Sequence, residues 1–172
     1  MLAGVLEKSR ALAKQIGIPE LIMCDAGHAA GPRMRDYGGF GDPASPKTAL
    51  LIEAGQHWET RAAEVATDVT LRFLIALGAV TADDVAALGG PDFAATPRQR
   101  VIEVTEAVTI SGSRFEFVEP YVGLEVIAEK GSLIGHDDGD DVRTPYDNCV
   151  LIMPSRRLVK GQTAVRLGRY VD

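Results

Sequence analysis

The sequence has few cysteines, few histidines and no long apolar run, and each shortage argues against a class of protein. Its 172 residues include two cysteines and three histidines. No stretch of about 18 apolar residues occurs, and no basic leader precedes an apolar segment, so we predict a cytoplasmic protein. A Gly-x-Ser-x-Gly motif and a plausible Cys-His pair are also absent, which argues against hydrolysis by a serine or cysteine nucleophile.

Acidic residues outnumber basic ones by 24 to 18, which gives a formal net charge of −6. This balance argues against nucleic acid and against anionic membrane surfaces as main partners. The 46% hydrophobic and 24% charged residues are typical of a folded globular protein. We therefore expect a folded protein rather than a disordered one.

The two cysteines, Cys24 and Cys149, border the apolar runs 21–23 and 150–152. Free cysteine is one of the most frequently buried residue types. We predict two buried free thiols, with a disulfide or a metal pair as the alternative.

The first half of the chain alternates between helical patterns and short apolar runs. Helical spacing at Leu2, Val5, Leu6, Leu12, Ala13 and Ile16 ends at Gly17, and a second stripe comprises Ala62, Val65, Ala66, Val69, Phe73, Ala76 and Leu77. Thr81 and Asp84 form the pattern of a capping box. Residues 21–24 are predicted to form a strand, and residues 25–46 one long loop rich in Gly and Pro.

The most informative run is Ala49–Ile52, which is too short for a helix and is followed by Glu53. Such a run is typical of a buried strand of a parallel sheet, and ligands bind outside the carboxyl ends of such strands. Glu53 is therefore the first candidate for catalysis. The alternative is an ion pair with an arginine of the preceding loop, or a cap of the next helix. Gln56 and His57 follow on the same loop and are candidate substrate contacts, or else solvent-facing residues of a helix start.

Asp25 and His28 follow the other predicted strand and would then face Glu53 across the same edge of the sheet. Together with His57 they form a candidate metal site of nitrogen and oxygen ligands. No known ligand spacing supports it, so ordinary polar loop residues remain the alternative.

Arg33 and Arg35 lie in the long loop before Glu53. A guanidinium holds a carboxylate through two parallel hydrogen bonds, which makes both arginines candidate substrate-binding residues. Solvated loop arginines are the alternative.

From about residue 99 the pattern changes to short alternating or apolar runs separated by turns, which predicts an all-β half. The runs are 100–105, 115–117, 124–127, 150–152 and 164–167. The predicted fold class is α/β, with a partial parallel sheet and flanking helices, followed by a small all-β, barrel-like domain. The predicted domains are 1–92 and 98–172.

Two strands and three helices make an incomplete α/β domain, because a strand as apolar as 49–52 needs neighbours on both edges. We expect either a homo-oligomer or a missing N-terminal half to complete the sheet.

The run Ile52-Glu53-Ala54-Gly55 resembles the Leu-Glu-x-Gly motif of the succinylglutamate desuccinylase/aspartoacylase family, relatives of the zinc carboxypeptidases. The resemblance, to the C-terminal half of that family, continues in a Gly-x-Leu-Ile-Gly turn at 131–135 and a Val-x-Gly-Gln step at 159–162. It implies a zinc-dependent deacylase that cleaves the amide of a small N-acyl amino acid, with Glu53 as the acid/base.

The family's zinc motif, His-x-x-Glu, does not occur in this sequence, and the histidines are His28, His57 and His136. The zinc is thus implied by the resemblance and not by a motif of this chain. A binding or assembly module derived from the family is the alternative function. The second half also resembles a lipoyl- or biotinyl-like barrel, but residues 145–148, at the aligned hairpin tip, contain no lysine, so we do not expect a swinging-arm carrier.

Overall fold

The computed structural model describes residues 1–26, 31–93 and 95–171. Its internal contacts divide the chain into two units, Met1–Val101 and Ile102–Asp172.

The helices of the first unit include the three that the sequence predicts. The helices are α1 (Glu7–Ile16), α2 (Gly38–Gly41), α3 (Thr60–Ala76) and α4 (Ala82–Ala87), and a 3-10 turn covers Met34–Asp36. Strand β1 covers Leu21–Cys24. The core of this unit joins Leu12, Ala13 and Ile16 of α1 to Ile22 of β1 and Val69 of α3. The capping box of Thr81 and Asp84 is present as predicted.

The predicted strand 49–52 differs from the expectation in its direction. Leu2 forms a parallel bridge with Met23 and an antiparallel bridge with Leu51. The segment 49–52 therefore runs opposite to β1, and the prediction of a wholly parallel arrangement was wrong. Ala49 is buried, but Leu50 and Ile52 are only half-buried, so this segment is not covered on both faces.

Two further predictions for the first unit need correction. The sequence predicts Leu2 in a helix, but it lies in the bridged segment before α1. The long loop 25–46 is not wholly irregular, because the 3-10 turn and α2 lie within it.

The second unit is built from antiparallel strands. They are β2 (Arg100–Thr109), β3 (Phe115–Phe117), β4 (Val126–Ile127), β5 (Leu133–Asp137), β6 (Asp140–Arg143), β7 (Cys149–Ile152) and β8 (Thr163–Tyr170). One sheet has the order β2-β8-β7-β4, and the other has the order β3-β5-β6. The first two residues of β2 belong to the first unit, where the N–H of Arg100 donates to the carbonyl of Glu20.

The α/β half followed by a β-rich half is confirmed. Across the residues that the structure describes, the strands of the second half form sheets and no closed barrel. The sequence predicts a turn at 131–135, but residues 133–135 belong to β5, which pairs with β6. Both cysteines are buried and free, as predicted.

In the described part of the chain, no helix is both long enough and apolar enough to span a bilayer.

Candidate functional site

Glu53 follows the bridged segment directly and is exposed. Among the described residues its carboxylate has no hydrogen bond and no ion pair. It lies near the amino group of Met1: burial lowers the pKa of that group to about 6, and the negative charge of Glu53 opposes the shift. The predicted alternative, an ion pair of Glu53 with Arg33 or Arg35, is not formed, because both arginines bind another carboxylate.

The loop after Glu53 leads into α3 through a tight turn. Gly55 has a φ of 124°, a conformation that favours glycine, and the N–H of Glu59 donates to the carbonyl of Gln56 over 3.0 Å. Gln56 and His57 are exposed. Both candidate substrate contacts therefore lie in the same solvent-accessible loop as Glu53.

Asp25, at the end of β1, is held between two arginines. Nη1 of Arg33 donates to both carboxylate oxygens at 3.2 and 2.9 Å, and Nη2 of Arg35 donates to Oδ1. The side chains of Asp25 and Arg35 are 5% and 2% exposed, whereas that of Arg33 is 22% exposed. The arginines of the long loop are thus not freely solvated: they fix the loop to the end of β1.

The two arginines also set the protonation of Asp25. Burial on its own would raise the pKa of this carboxyl group, but the hydrogen bonds from Arg33 and Arg35 outweigh it and hold the pKa below its ordinary value. Asp25 is therefore ionised at neutral pH and already shared between two cations. This environment opposes the binding of a further cation at Asp25.

The expectation that Asp25 faces Glu53 is wrong, because the segment 49–52 is antiparallel to β1. Both strands bridge to Leu2. Glu53 follows Leu51 towards the Met1 side of Leu2, whereas Asp25 follows Met23 towards the Gly4 side. Extended chain rises about 3.3 Å per residue, which separates the two levels by about 10 Å or more along the strands.

No group of three or more His, Cys, Asp or Glu side chains in the described ranges is arranged to hold a metal ion. His28, the second residue of the predicted metal pair, lies outside the described residues. His57 lies in the exposed loop after Glu53. The described side chains on their own therefore do not fit a zinc centre.

Sequence reasoning missed the role of Lys8. Its Nζ lies within hydrogen-bond distance of four backbone carbonyls, those of Gly39, Asp42, Ser45 and Lys47, at 2.6–3.2 Å. A lysine on the polar side of an amphipathic helix gives no signal of such a role, because its usual place is in solvent.

The two sequence comparisons found nothing: no protein-family model matches this chain, and no curated protein matches it.

Comparison with solved structures did find similar folds. The crystal structure of succinylglutamate desuccinylase from Vibrio cholerae is similar over 99% of this chain and 49% of its own length, with a TM-score of 0.61 and 17% identity. The enzyme of the same name from Vibrio parahaemolyticus is similar over 95% of this chain and 45% of its own, with a TM-score of 0.56 and 16% identity.

The chain spans about half the length of these structures. At such low identity the similarity concerns the fold. It confirms the architecture that the Ile52-Glu53-Ala54-Gly55 resemblance implied: the chain has the fold of about half of a succinylglutamate desuccinylase.

Proposed function

We propose that this chain carries the Glu53-bearing part of a metal-dependent deacylase, which hydrolyses the amide bond of a small N-acyl amino acid. The supporting observation is the shared fold with two structures named succinylglutamate desuccinylase, over nearly the whole of this chain. Glu53, at the end of the bridged segment, is exposed and has no intramolecular ion pair in the described residues, so its carboxylate is available to a substrate.

In the proposed reaction, Glu53 acts as a general base and then as a general acid. Its carboxylate accepts a proton from the attacking water as the new C–O bond forms at the acyl carbon. It then gives the proton to the departing amide nitrogen as the C–N bond breaks, which produces a carboxylic acid and an amine. At neutral pH the acid's proton passes to the amine, so the products are a carboxylate and an ammonium group. Gln56 and His57 are proposed to hold the substrate by hydrogen bonds from the same loop.

Zinc, where the fold family uses it, is a Lewis acid that activates water. The described residues do not bring three ligands together. The proposal therefore places at least one of the metal's ligands outside the described residues. Arg33 and Arg35 lie at the other end of β1 with Asp25, and the proposed reaction assigns them no step.

The test compares Glu53→Gln with the matched control Glu59→Gln, a second exposed glutamate of the same segment. Both variants and the wild type are assayed with zinc on N-succinylglutamate and on N-acetyl amino acids. We expect Glu53→Gln to lower kcat by about 10²–10⁴-fold with little change in KM, because proton transfer fails while binding persists. Glu59→Gln is expected to retain the wild-type rate, and equal losses in both variants would contradict the role of Glu53.

A second candidate function is a binding or assembly module that holds no metal. It is favoured by the described side chains, which offer no three-ligand group, and by the two arginines that already occupy Asp25. The zinc content of the purified chain, measured by mass spectrometry, separates the two. About one zinc per chain supports the deacylase, and zinc-free protein that takes up none on incubation supports the binding module.

A further inference from the structure

A small cavity at the beginning of α1 contains a buried arginine with unused hydrogen-bond donors. The cavity has a volume of about 180 Å³, and its lining includes Gly4, Leu6, Ser9, Arg35 and Asp36. A water molecule takes about 30 Å³ in the liquid, so the cavity has room for a group of several heavy atoms.

Arg35 is the unusual residue of this cavity. Its side chain is only 2% exposed. Nη2 is bound to Asp25, but Nε and Nη1 are buried and have no hydrogen-bond partner in the described part of the chain. Oδ1 of Asp36 lies 3.7 Å from Nε, which is too far for a hydrogen bond. Buried donors of a charged group are rarely left without an acceptor.

Nη1 of Arg35 lies against Gly4 of the cavity wall. A Cβ atom at position 4 would lie 2.6 Å from Nη1, and Gly4 has a φ of 74°, which also favours glycine. The absence of a side chain at Gly4 thus leaves the space in which the free edge of the guanidinium is accommodated.

The start of α1 adds a second positive element to the same cavity. Leu6 is the N-cap residue and its side chain accepts no hydrogen bond, so the first N–H groups have no side-chain cap, although the acidic Glu7 lies in the first turn. The N–H groups of Ser9 and Arg10 donate to the carbonyl of Leu6, whereas those of Glu7 and Lys8 have no intrahelical acceptor. The partial positive charge of a helix N-terminus attracts anions.

Positive charge at the cavity is not fully balanced by the carboxylates around it. Arg33 and Arg35 share the single carboxylate of Asp25, and Asp36 is a weaker partner because its side chain is 27% exposed and lies beyond hydrogen-bond distance of Arg35.

We propose that this cavity is a binding site for a small oxyanion, a carboxylate or a phosphate group, held by Arg35 and the first turn of α1. The site differs from the proposed hydrolytic site, because Gly4 and Met1 are three residues apart and Glu53 lies at the Met1 end. Those three residues span about 10 Å of extended chain. The proposal therefore stands independently of the deacylase activity.

The test is a titration of the whole chain, observed by amide NMR shifts, with inorganic phosphate and separately with acetate at constant ionic strength. We expect saturable shifts at the amides of residues 4–9 with at least one of the two anions. The anion that binds more tightly shows whether the site prefers a phosphate group or a carboxylate. Arg35→Gln is expected to weaken binding by about tenfold or more, since a charged hydrogen bond is lost. Lys14→Gln, which removes an exposed positive charge in the last turn of α1, is expected to bind like the wild type.

The wild-type titration decides the question even where Arg35→Gln fails to fold. The absence of saturable shifts at residues 4–9 with both anions would overturn the proposal. Unchanged affinity in a folded Arg35→Gln variant would also overturn it.

Discussion

Asp25 and its two arginines, Arg33 and Arg35, form a charge cluster at the end of β1. Arg35 is almost wholly buried, and among the described residues Asp25 is its only charge partner within hydrogen-bond distance. Removing one member of a buried pair leaves the other charge without compensation, which costs more than the pair contributes. The pair therefore fixes residues 33–35 to the end of β1.

The first prediction follows from this pair. Asp25→Asn is expected to lower the free energy of unfolding by about 3 kcal/mol or more, because it leaves the buried Arg35 charge uncompensated. Asp36→Asn, at a more exposed carboxylate 3.7 Å from Arg35, is expected to cost less than about 1 kcal/mol. Urea denaturation of both variants measures the difference, and equal losses would contradict the account.

The same pair predicts a pH dependence of stability. The pKa of Asp25 is lower in the folded chain than in the unfolded chain, where it is about 4. The unfolded state therefore binds protons more readily, so the stabilisation is complete above about pH 4–5 and is lost as the pH falls through the folded-state pKa. Asp25→Asn should show a flatter decline in melting temperature between neutral and acidic pH than the wild type.

The residues of this pair were recognised from the sequence as candidates, but their partners were not. Arg33, Arg35 and Asp25 lie near turns, where polar side chains are common, and nothing in their spacing shows that they bind one another. The sequence places Glu53 at the end of a strand-like run, and the structure agrees. The distance between Glu53 and Asp25 could not be predicted, because it depends on the direction of that run relative to β1.

At the scale of elements, Lys8 of α1 organises the segment 39–47 through four carbonyl groups. An ammonium group has three protons, so the four oxygens share them. This segment leads from α2 to the bridged run before Glu53, and its path therefore depends on one side chain.

The second prediction is that Lys8→Met loosens residues 39–47. The variant should cost about 1 kcal/mol, the usual net value of such hydrogen bonds, and should make the segment a faster site of proteolysis. Lys14→Met, at an exposed position of the same helix, is the control and should leave cleavage unchanged. Limited proteolysis with mass spectrometry of the fragments provides the measurement.

In the second unit, two aspartates of the β5–β6 hairpin hold the loop between β2 and β3. Asp137 accepts from the N–H groups of Ser111 and Gly112, and Asp138 accepts from those of Ser113 and Arg114. These bonds lower the pKa of both carboxyl groups, that of Asp138 with some help from Lys160.

The third prediction concerns the close approach at Gly112. A Cβ atom there would lie 2.5 Å from Cγ of Asp138 and 2.6 Å from Oδ1 of Asp137. Gly112→Ala is therefore expected to displace the loop and to speed hydrogen exchange of the Ser111 amide by roughly tenfold or more. Ser113→Ala, which removes only one hydroxyl hydrogen bond, should have a smaller effect. The reverse order would contradict this reading of the loop.

Most elements were predictable from the sequence because their periodicity is local. The capping box at Thr81 and the strands containing residues 100–105, 150–152 and 164–167 needed no knowledge of their neighbours. The β5–β6 hairpin was missed because its glycines have the pattern of a turn, while Gly135 in fact allows close strand contact: a Cβ there would lie 2.8 Å from the carbonyl of Glu116. The direction of the run 49–52 was missed because an apolar run does not specify whether its partner is parallel.

At the scale of the whole molecule, the first unit has an incompletely covered side. Among the described residues, the only backbone hydrogen bonds between the segment 48–52 and another strand-like segment are the two that join Leu51 to Leu2. An apolar cavity of about 320 Å³ adjoins it, lined by residues that include Leu50, Ile52, Val69 and Phe73. An open strand edge beside apolar side chains favours pairing with another chain.

The fourth prediction is that the protein associates, either with itself or with a partner chain that completes this sheet. Light scattering of the purified chain at micromolar concentration should give at least the mass of a dimer. A monomer under these conditions would contradict self-association.

Release of free amine from N-acyl amino acids by zinc-incubated protein would show whether Glu53 serves a deacylase. The wild type and Glu53→Gln are compared side by side in the same assay. The account predicts amine release by the wild type and its loss in Glu53→Gln with zinc content unchanged. No release by the zinc-loaded wild type, or equal rates in the two proteins, would contradict it.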